Sequence, residues 1–205
     1  MPADDGVLRC PHCMHTRPFA RPPLLAVIGP VGVGKSTMCS RLAGTLPGVV
    51  LLDADIFGEQ HVEVVSADPD YTAFWRWLME IAHEIAQNHL VVVYFSVMLP
   101  EQILANVEAL KYFDSVHFLY LRAPDPLLRE RITRQAGTIA TKVDIDAYLD
   151  ERTKEWNAFN AVLDKAATST PQTTVVDATR PPNEVEEDVR AWINAHVKPL
   201  SPLET

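Results

Sequence analysis

The amino-acid sequence predicts an α/β fold, a five-stranded parallel sheet held between two layers of helices. Three observations carry the prediction. Segments of strand length recur five times, at Leu24–Ile28, Val49–Leu52, Leu90–Val97, Val116–Leu121 and Thr174–Asp177. The second is apolar at every position, as a strand covered on both faces requires. The stretches between strands are long enough for helices, and their apolar residues return every three or four positions. Alternating strands and helices form parallel crossovers, which place helices on both faces of the sheet. With 205 residues, 47% of them apolar, the chain suits one domain with an ordinary buried core.

Residues 1–22 precede the first strand and read as a polar, Pro-rich, loosely ordered tail. Cys10-Pro11-His12-Cys13-Met14-His15 offers a C-x-x-C pair with two nearby histidines, a candidate weak metal site. A closed zinc site wants four ligands. No second C-x-x-C or H-x₃-H pair follows, so the tail reading is preferred. The folded domain is expected over 23–198, with a second tail at 199–205.

After the first strand comes Gly29-Pro30-Val31-Gly32-Val33-Gly34-Lys35-Ser36, followed by Thr37. This fits the phosphate-binding pattern G-x-x-x-x-G-K-[ST] without a mismatch. Cys39, Leu42, Ala43 and Leu46 then mark one face of a helix. Glycines let the backbone wrap closely around phosphate oxygens, and the helix N-terminus adds partial positive charge. Lys35 would reach the β- and γ-phosphates, and the Ser36 hydroxyl would ligate Mg²⁺. A glycine-rich turn that binds nothing would not need strand, loop, Lys-Ser and helix in register.

The second strand ends in Asp53-Ala54-Asp55. Ligands of open α/β sheets sit beyond the carboxyl ends of the strands. Two aspartates one residue apart there would share one side of the strand and face the phosphate loop; a solvated turn or a helix N-cap is the other reading. Residues 56–70 show no clear period and read as a mobile segment over an acceptor pocket, with room for a short helix. Phe74, Leu78, Ile81 and Ile85 mark a helix from Tyr71 to Asn88. Trp75 and Trp77 on it read as core or groove residues, one of them able to line a substrate pocket.

Pro100 opens a helix over 101–110. Pro124-Asp125-Pro126 starts another over 127–135, which carries Arg129, Arg131 and Arg134 and should stop at Gly137. From Asp144 onward, Ile145, Leu149, Trp156, Phe159 and Leu163 form one helical face, and Arg152 completes the stripe. An arginine on an apolar face needs an anion: either a nucleotide triphosphate or a neighbouring carboxylate. A final helix over 183–196 is apolar at Val185, Val189 and Ile193.

The net charge of −9 argues against a nucleic-acid surface, which needs clustered Lys and Arg. No apolar run approaches the ~20 residues of a membrane span. The first residues, with Asp4 and Asp5, lack a signal-peptide apolar region, so the expectation is a cytoplasmic protein.

On GPVGVGKST, LLDAD, LRERITR, the Asp144-to-Arg152 segment and VVDATRPPNEV, the chain over about 24–196 resembles the small P-loop kinases. That group comprises the nucleoside-monophosphate, shikimate and gluconate kinases and chloramphenicol phosphotransferase. The resemblance implies a three-layer P-loop NTPase sandwich with strand order 2-3-1-4-5, ATP and Mg²⁺ as cofactors, and a lid over about 135–152. It also implies that Gly29, Gly32, Val33, Gly34, Lys35, Ser36 and Thr37 hold the phosphates. Asp53 would help hold Mg²⁺ together with Ser36, and Asp55 would bind the acceptor hydroxyl. Arg131 and Arg134 would meet adenine or phosphates, Arg152 would return to the transferring phosphoryl group, and Asp177 to Pro182, with Arg180, would border the adenine. One departure is that the third strand ends in Ser96, where P-loop proteins often carry an acid.

Charge distribution bears on the acceptor. Between Val50 and Leu110 the only cation is Arg76, against ten acidic residues. A nucleoside monophosphate or an acidic acceptor needs arginines to grip its own charge. The expectation is therefore a kinase for a hydroxyl on a neutral or cationic acceptor (a nucleoside, sugar or natural product). The alternatives are a nucleoside-monophosphate kinase or a nucleotide-binding regulatory protein.

Overall fold

The apolar strand segments form strands because each side of the sheet is covered, so neither face needs polar residues. In the computed structural model, residues 7–10, 12–19, 21–60, 71–139, 150, 153, 160–165, 168 and 172–197 are described. Arg152 and residues 140–149 and 151 of the expected lid lie outside them.

Within the segment expected as a loosely ordered tail, β1 (Val7–Arg9) and β2 (Thr16–Pro18) instead pair as an antiparallel hairpin. The turn closes through Cys10 N–H to His15 O (2.8 Å) and Met14 N–H to Cys10 O (2.9 Å). Phe19, directly after it, is buried against the rings of His83 and Tyr112 at 4.9 and 6.3 Å between centroids. That aromatic contact anchors the segment and was invisible to composition, which registered only prolines and charge.

The main sheet follows from β3 (Leu24–Ile28), β4 (Val49–Asp53), β5 (Val91–Ser96), β6 (Val116–Arg122) and β7 (Thr173–Asp177). Every pairing is parallel and the order is β4-β5-β3-β6-β7, the expected 2-3-1-4-5 arrangement. Successive side chains of one strand feed two separate cores. Leu25 and Val27 of β3 join the core of α1 (Lys35–Leu42), α6 (Asp125–Ile139) and α7 (Pro182–His196). Leu24, Ala26 and Ile28 join the core of α3 (Thr72–Ala86). The sheet is the middle layer of a three-layer sandwich.

Several sequence expectations are corrected. The helix over 101–110 is two short ones, α4 (Pro100–Leu104) and α5 (Val107–Leu110). Asn106 separates them: its backbone leaves the helical region at φ −86°, ψ 57° and its side-chain amide donates to Gln102 O at 3.0 Å. Gly137 does not end α6, which continues to Ile139, because a single glycine weakens a helix without forcing a stop. Trp75 is buried in the α3 core, whereas Trp77 is exposed on the outer face of α3 beside Phe57 and Phe74. Neither tryptophan lines the cleft at the strand ends.

Candidate active site

The strands run in one direction, so all of their carboxyl ends open on one edge of the sheet, and the site is built there. β3 leads into the glycine-rich loop. Gly32 has φ 81°, and a Cβ on it would stand 2.8 Å from Ile132 Cγ1, so only glycine fits. Gly34, at φ 111°, caps α1. Its left-handed backbone turns the chain into the helix that begins at Lys35.

Lys35 is only 5% exposed, and its Nζ donates to Gly29 O at 3.0 Å and Pro30 O at 3.1 Å. Burial brings its pKa down to about 8, while the carboxylates of Asp55 and Asp53 pull the other way. Ser36 and Thr37 are exposed in the first turn of α1.

β4 ends at Asp53, and α2 (Ala54–Gln60) starts at once. Asp55 therefore sits in the first turn of a helix, not on the strand with Asp53 as the spacing suggested. Both carboxylates nevertheless line one cavity of about 720 Å³ with Gly32, Val33, Gly34, Lys35, Ser36 and Thr37. The Asp55 N–H donates to Asp53 Oδ1 at 3.2 Å. Asp55 Oδ1 accepts from the Ser96 hydroxyl at 2.9 Å and from the Val97 N–H at 3.2 Å. Ser96 is a residue that sequence reading passed over, except as the place where an acid was missing. Its signal was a hydroxyl at the end of a strand that neighbours the aspartate-bearing one. Cys39 on α1 is half-buried, and burial, with the Asp53 charge second, pushes its thiol up to about 11.

Arg131, Arg134 and Arg180 line the same cavity. Arg131 donates to Val33 O at 3.1 Å and Ala178 O at 2.9 Å, tying the glycine-rich loop to the loop after β7. Arg134 pairs with Glu130 at 2.6 Å with both side chains exposed. Arg180 pairs with Asp188 on α7 and bonds Asp177 O at 3.3 Å. Gly29 lies at the base of the loop and contacts the Lys35 ammonium through its carbonyl. The structure thus brings together all the predicted site residues among the described ones.

A Mg²⁺ ion prefers hard oxygen donors and keeps waters and phosphates in most of its positions. The Ser36 hydroxyl and the Asp53 carboxylate fit that preference. Among the described residues no group of three His, Cys, Asp or Glu forms a metal centre, at the hairpin or elsewhere. At the hairpin tip, amides of Cys13 and His12 donate to the Cys10 sulfur and hold its pKa below the usual thiol range.

The family model for an AAA domain matches residues 25–155, more than half of the sequence. The chain belongs to this family. No curated protein matches this member of the AAA domain family significantly. Among solved structures it is similar to a sugar kinase from Janibacter sp. HTCC2649, with 21% identity and a TM-score of 0.61 over 85% of this chain and 95% of that one. A gluconokinase from Sinorhizobium meliloti 1021 gives 20% identity and a TM-score of 0.54, over 87% and 94%. A tunicamycin resistance protein from Deinococcus radiodurans gives 19% and 0.55, over 84% and 96%. These likenesses establish the fold of a small P-loop kinase. No helix among the described residues is long and apolar enough to cross a membrane.

Proposed function

We propose that this AAA domain family member is an ATP-dependent kinase for a small molecule. It would transfer the γ-phosphoryl group to a hydroxyl of a neutral or cationic acceptor such as a nucleoside, sugar or natural product. One observation carries the reading: the side chains of Lys35, Arg131, Arg134 and Arg180 and the carboxylates of Asp53 and Asp55 line one cavity with the glycine-rich loop. The cations suit a triphosphate, and a carboxylate suits an alcohol. Acceptor-side walls include Ile56, which is 58% exposed in the cavity, and the sequence from Val50 to Leu110 has only Arg76 as a cation. An acceptor bearing its own phosphate or carboxylate would find little to grip there.

In this reading the glycine-rich loop amides and Lys35 bind the β- and γ-phosphates, and Arg131 and Arg180 border the adenine. Arg134 and Arg152, the latter outside the described residues, neutralise the transferring group as the lid over 135–152 closes and excludes water. Mg²⁺, held by Ser36 and through water by Asp53, would supply charge neutralisation at the phosphate oxygens. Asp55 orients the acceptor hydroxyl and takes its proton late in the transfer. The protein would work in the cytoplasm with ATP and the acceptor as partners, without nucleic acid or membrane.

A panel of hydroxyl-bearing compounds incubated with ATP and Mg²⁺, read by mass gain of one phosphoryl group, tests the assignment. Asp55→Asn should remove nearly all transfer, leaving a small measurable residue, and keep nucleotide affinity largely intact; unchanged turnover in that variant would remove Asp55 from the mechanism. Activity confined to monophosphates would mark a nucleoside-monophosphate kinase. Weak hydrolysis with no acceptor product would mark a regulatory nucleotide-binding protein.

A further inference from the structure

We propose that Ser96 is a positioning residue for phosphoryl transfer: it fixes the Asp55 carboxylate so that one oxygen alone faces the acceptor. The inference rests on the kinase reading above. Asp55 lies in the first turn of a seven-residue helix, so its own element constrains it weakly. Its side chain is held instead from β5. The Ser96 hydroxyl (2.9 Å) and the Val97 N–H (3.2 Å) both donate to the same oxygen, Oδ1. Among the described residues nothing bonds Oδ2.

The anchor is rigid. Ser96 is 3% exposed, and β5 is hydrogen-bonded on both sides, to β4 and β3. Its hydroxyl therefore competes little with water for its partner, and the strand end cannot drift. Two donors on Oδ1 lock the torsion of the carboxylate and leave Oδ2 for the acceptor. During transfer the acceptor oxygen forms its bond to γ-phosphorus as the bond to the ADP oxygen breaks. The hydroxyl proton moves to Oδ2, while Oδ1 keeps both of its donors; water takes the proton after product leaves.

This geometry also explains the missing acid at the end of β5. A carboxylate at position 96 would stand against Asp55, and two like charges at hydrogen-bond distance cannot both stay ionised without cost. A hydroxyl turns the same position into a donor.

The test is a variant series with steady-state kinetics for both substrates and crystal structures of the wild type and S96A. S96A should lower kcat by roughly 10- to 100-fold, with the KM for ATP within about twofold of wild type. S96T, which keeps the hydroxyl, should recover most of the loss. S96C, which fills the space with a weaker donor, should fall between them. In a D55N background S96A should add nothing, because the two residues act as one unit. In the S96A crystal structure the Asp55 carboxylate should leave the Val97 amide or occupy more than one position. A wild-type kcat in S96A, an equal loss in the D55N background, or an unmoved Asp55 in S96A would each overturn the proposal. If the wild type phosphorylates no acceptor, the kinase reading fails first. The position of Asp55 in S96A then decides whether Ser96 holds it.

Discussion

Lys35 shows how one side chain can be both anchored and available. Its ammonium is nearly out of solvent and bonded to two carbonyls of its own loop, and burial lowers its pKa from 10.5 to about 8. The unfolded chain holds this proton more firmly than the folded one. The charged form therefore costs folding stability below pH 8, and that cost fades as pH rises toward 10.5. Phosphate oxygens reverse the balance by giving the ammonium an anionic partner. Nucleotide binding above pH 8 should then take up a proton, and affinity should fall as pH rises through that value. Calorimetry of ATP binding in two buffers of different ionisation enthalpy measures the uptake. We expect a value approaching one proton per nucleotide near pH 9 in wild type and about none in Lys35→Met. Equal uptake in both proteins would place the titration elsewhere.

At the scale of elements, the nucleotide side of the cleft depends on a bond between segments far apart in sequence. Arg131 of α6 reaches Val33 O and Ala178 O with separate guanidinium nitrogens. An ammonium cannot span two such acceptors with the same planar fork. Arg131→Lys should therefore loosen the glycine-rich loop relative to the loop after β7. Expected effects are a stability loss of about 1–2 kcal/mol by chemical denaturation and roughly tenfold weaker ATP binding. Wild-type affinity in that variant would mean that the loop is fixed without Arg131. The hairpin gives a second case. Phe19→Ala removes a buried ring packed at a tilt against His83 and should cost about 3–5 kcal/mol. An unchanged denaturation midpoint would show that the hairpin segment is held by other contacts.

At the scale of the molecule, one sheet supports two cores, and the cores cannot melt apart without breaking shared strands. Leu24 and Leu25 are adjacent on β3 and fully buried, yet each belongs to a different core. Leu24→Ala and Leu25→Ala should each cost about 2–5 kcal/mol in a single cooperative transition. Two separated transitions, each sensitive to one variant, would contradict this coupling. The same strands set the site, because their parallel direction gathers the ends of β3, β4 and β5 at one edge.

Much of this architecture was legible beforehand. Strands covered on two faces are apolar at consecutive positions, and a phosphate-binding loop needs glycines and a lysine at fixed spacing, so both leave local marks in the chain. The carboxylates at Asp53 and Asp55 were legible as site candidates for the same reason, although the helix that begins between them was not. What only the tertiary structure decided are the partners brought together from distant segments: Ser96 with Asp55, 41 residues apart, and Arg131 with Val33 and Ala178, 98 and 47 residues apart. The hairpin anchored through Phe19 belongs with them. Periodicity records which face of an element is buried, but a polar side chain carries no local sign of the atom it will meet. That meeting is fixed by strand order and register, which exist only once the sheet has formed.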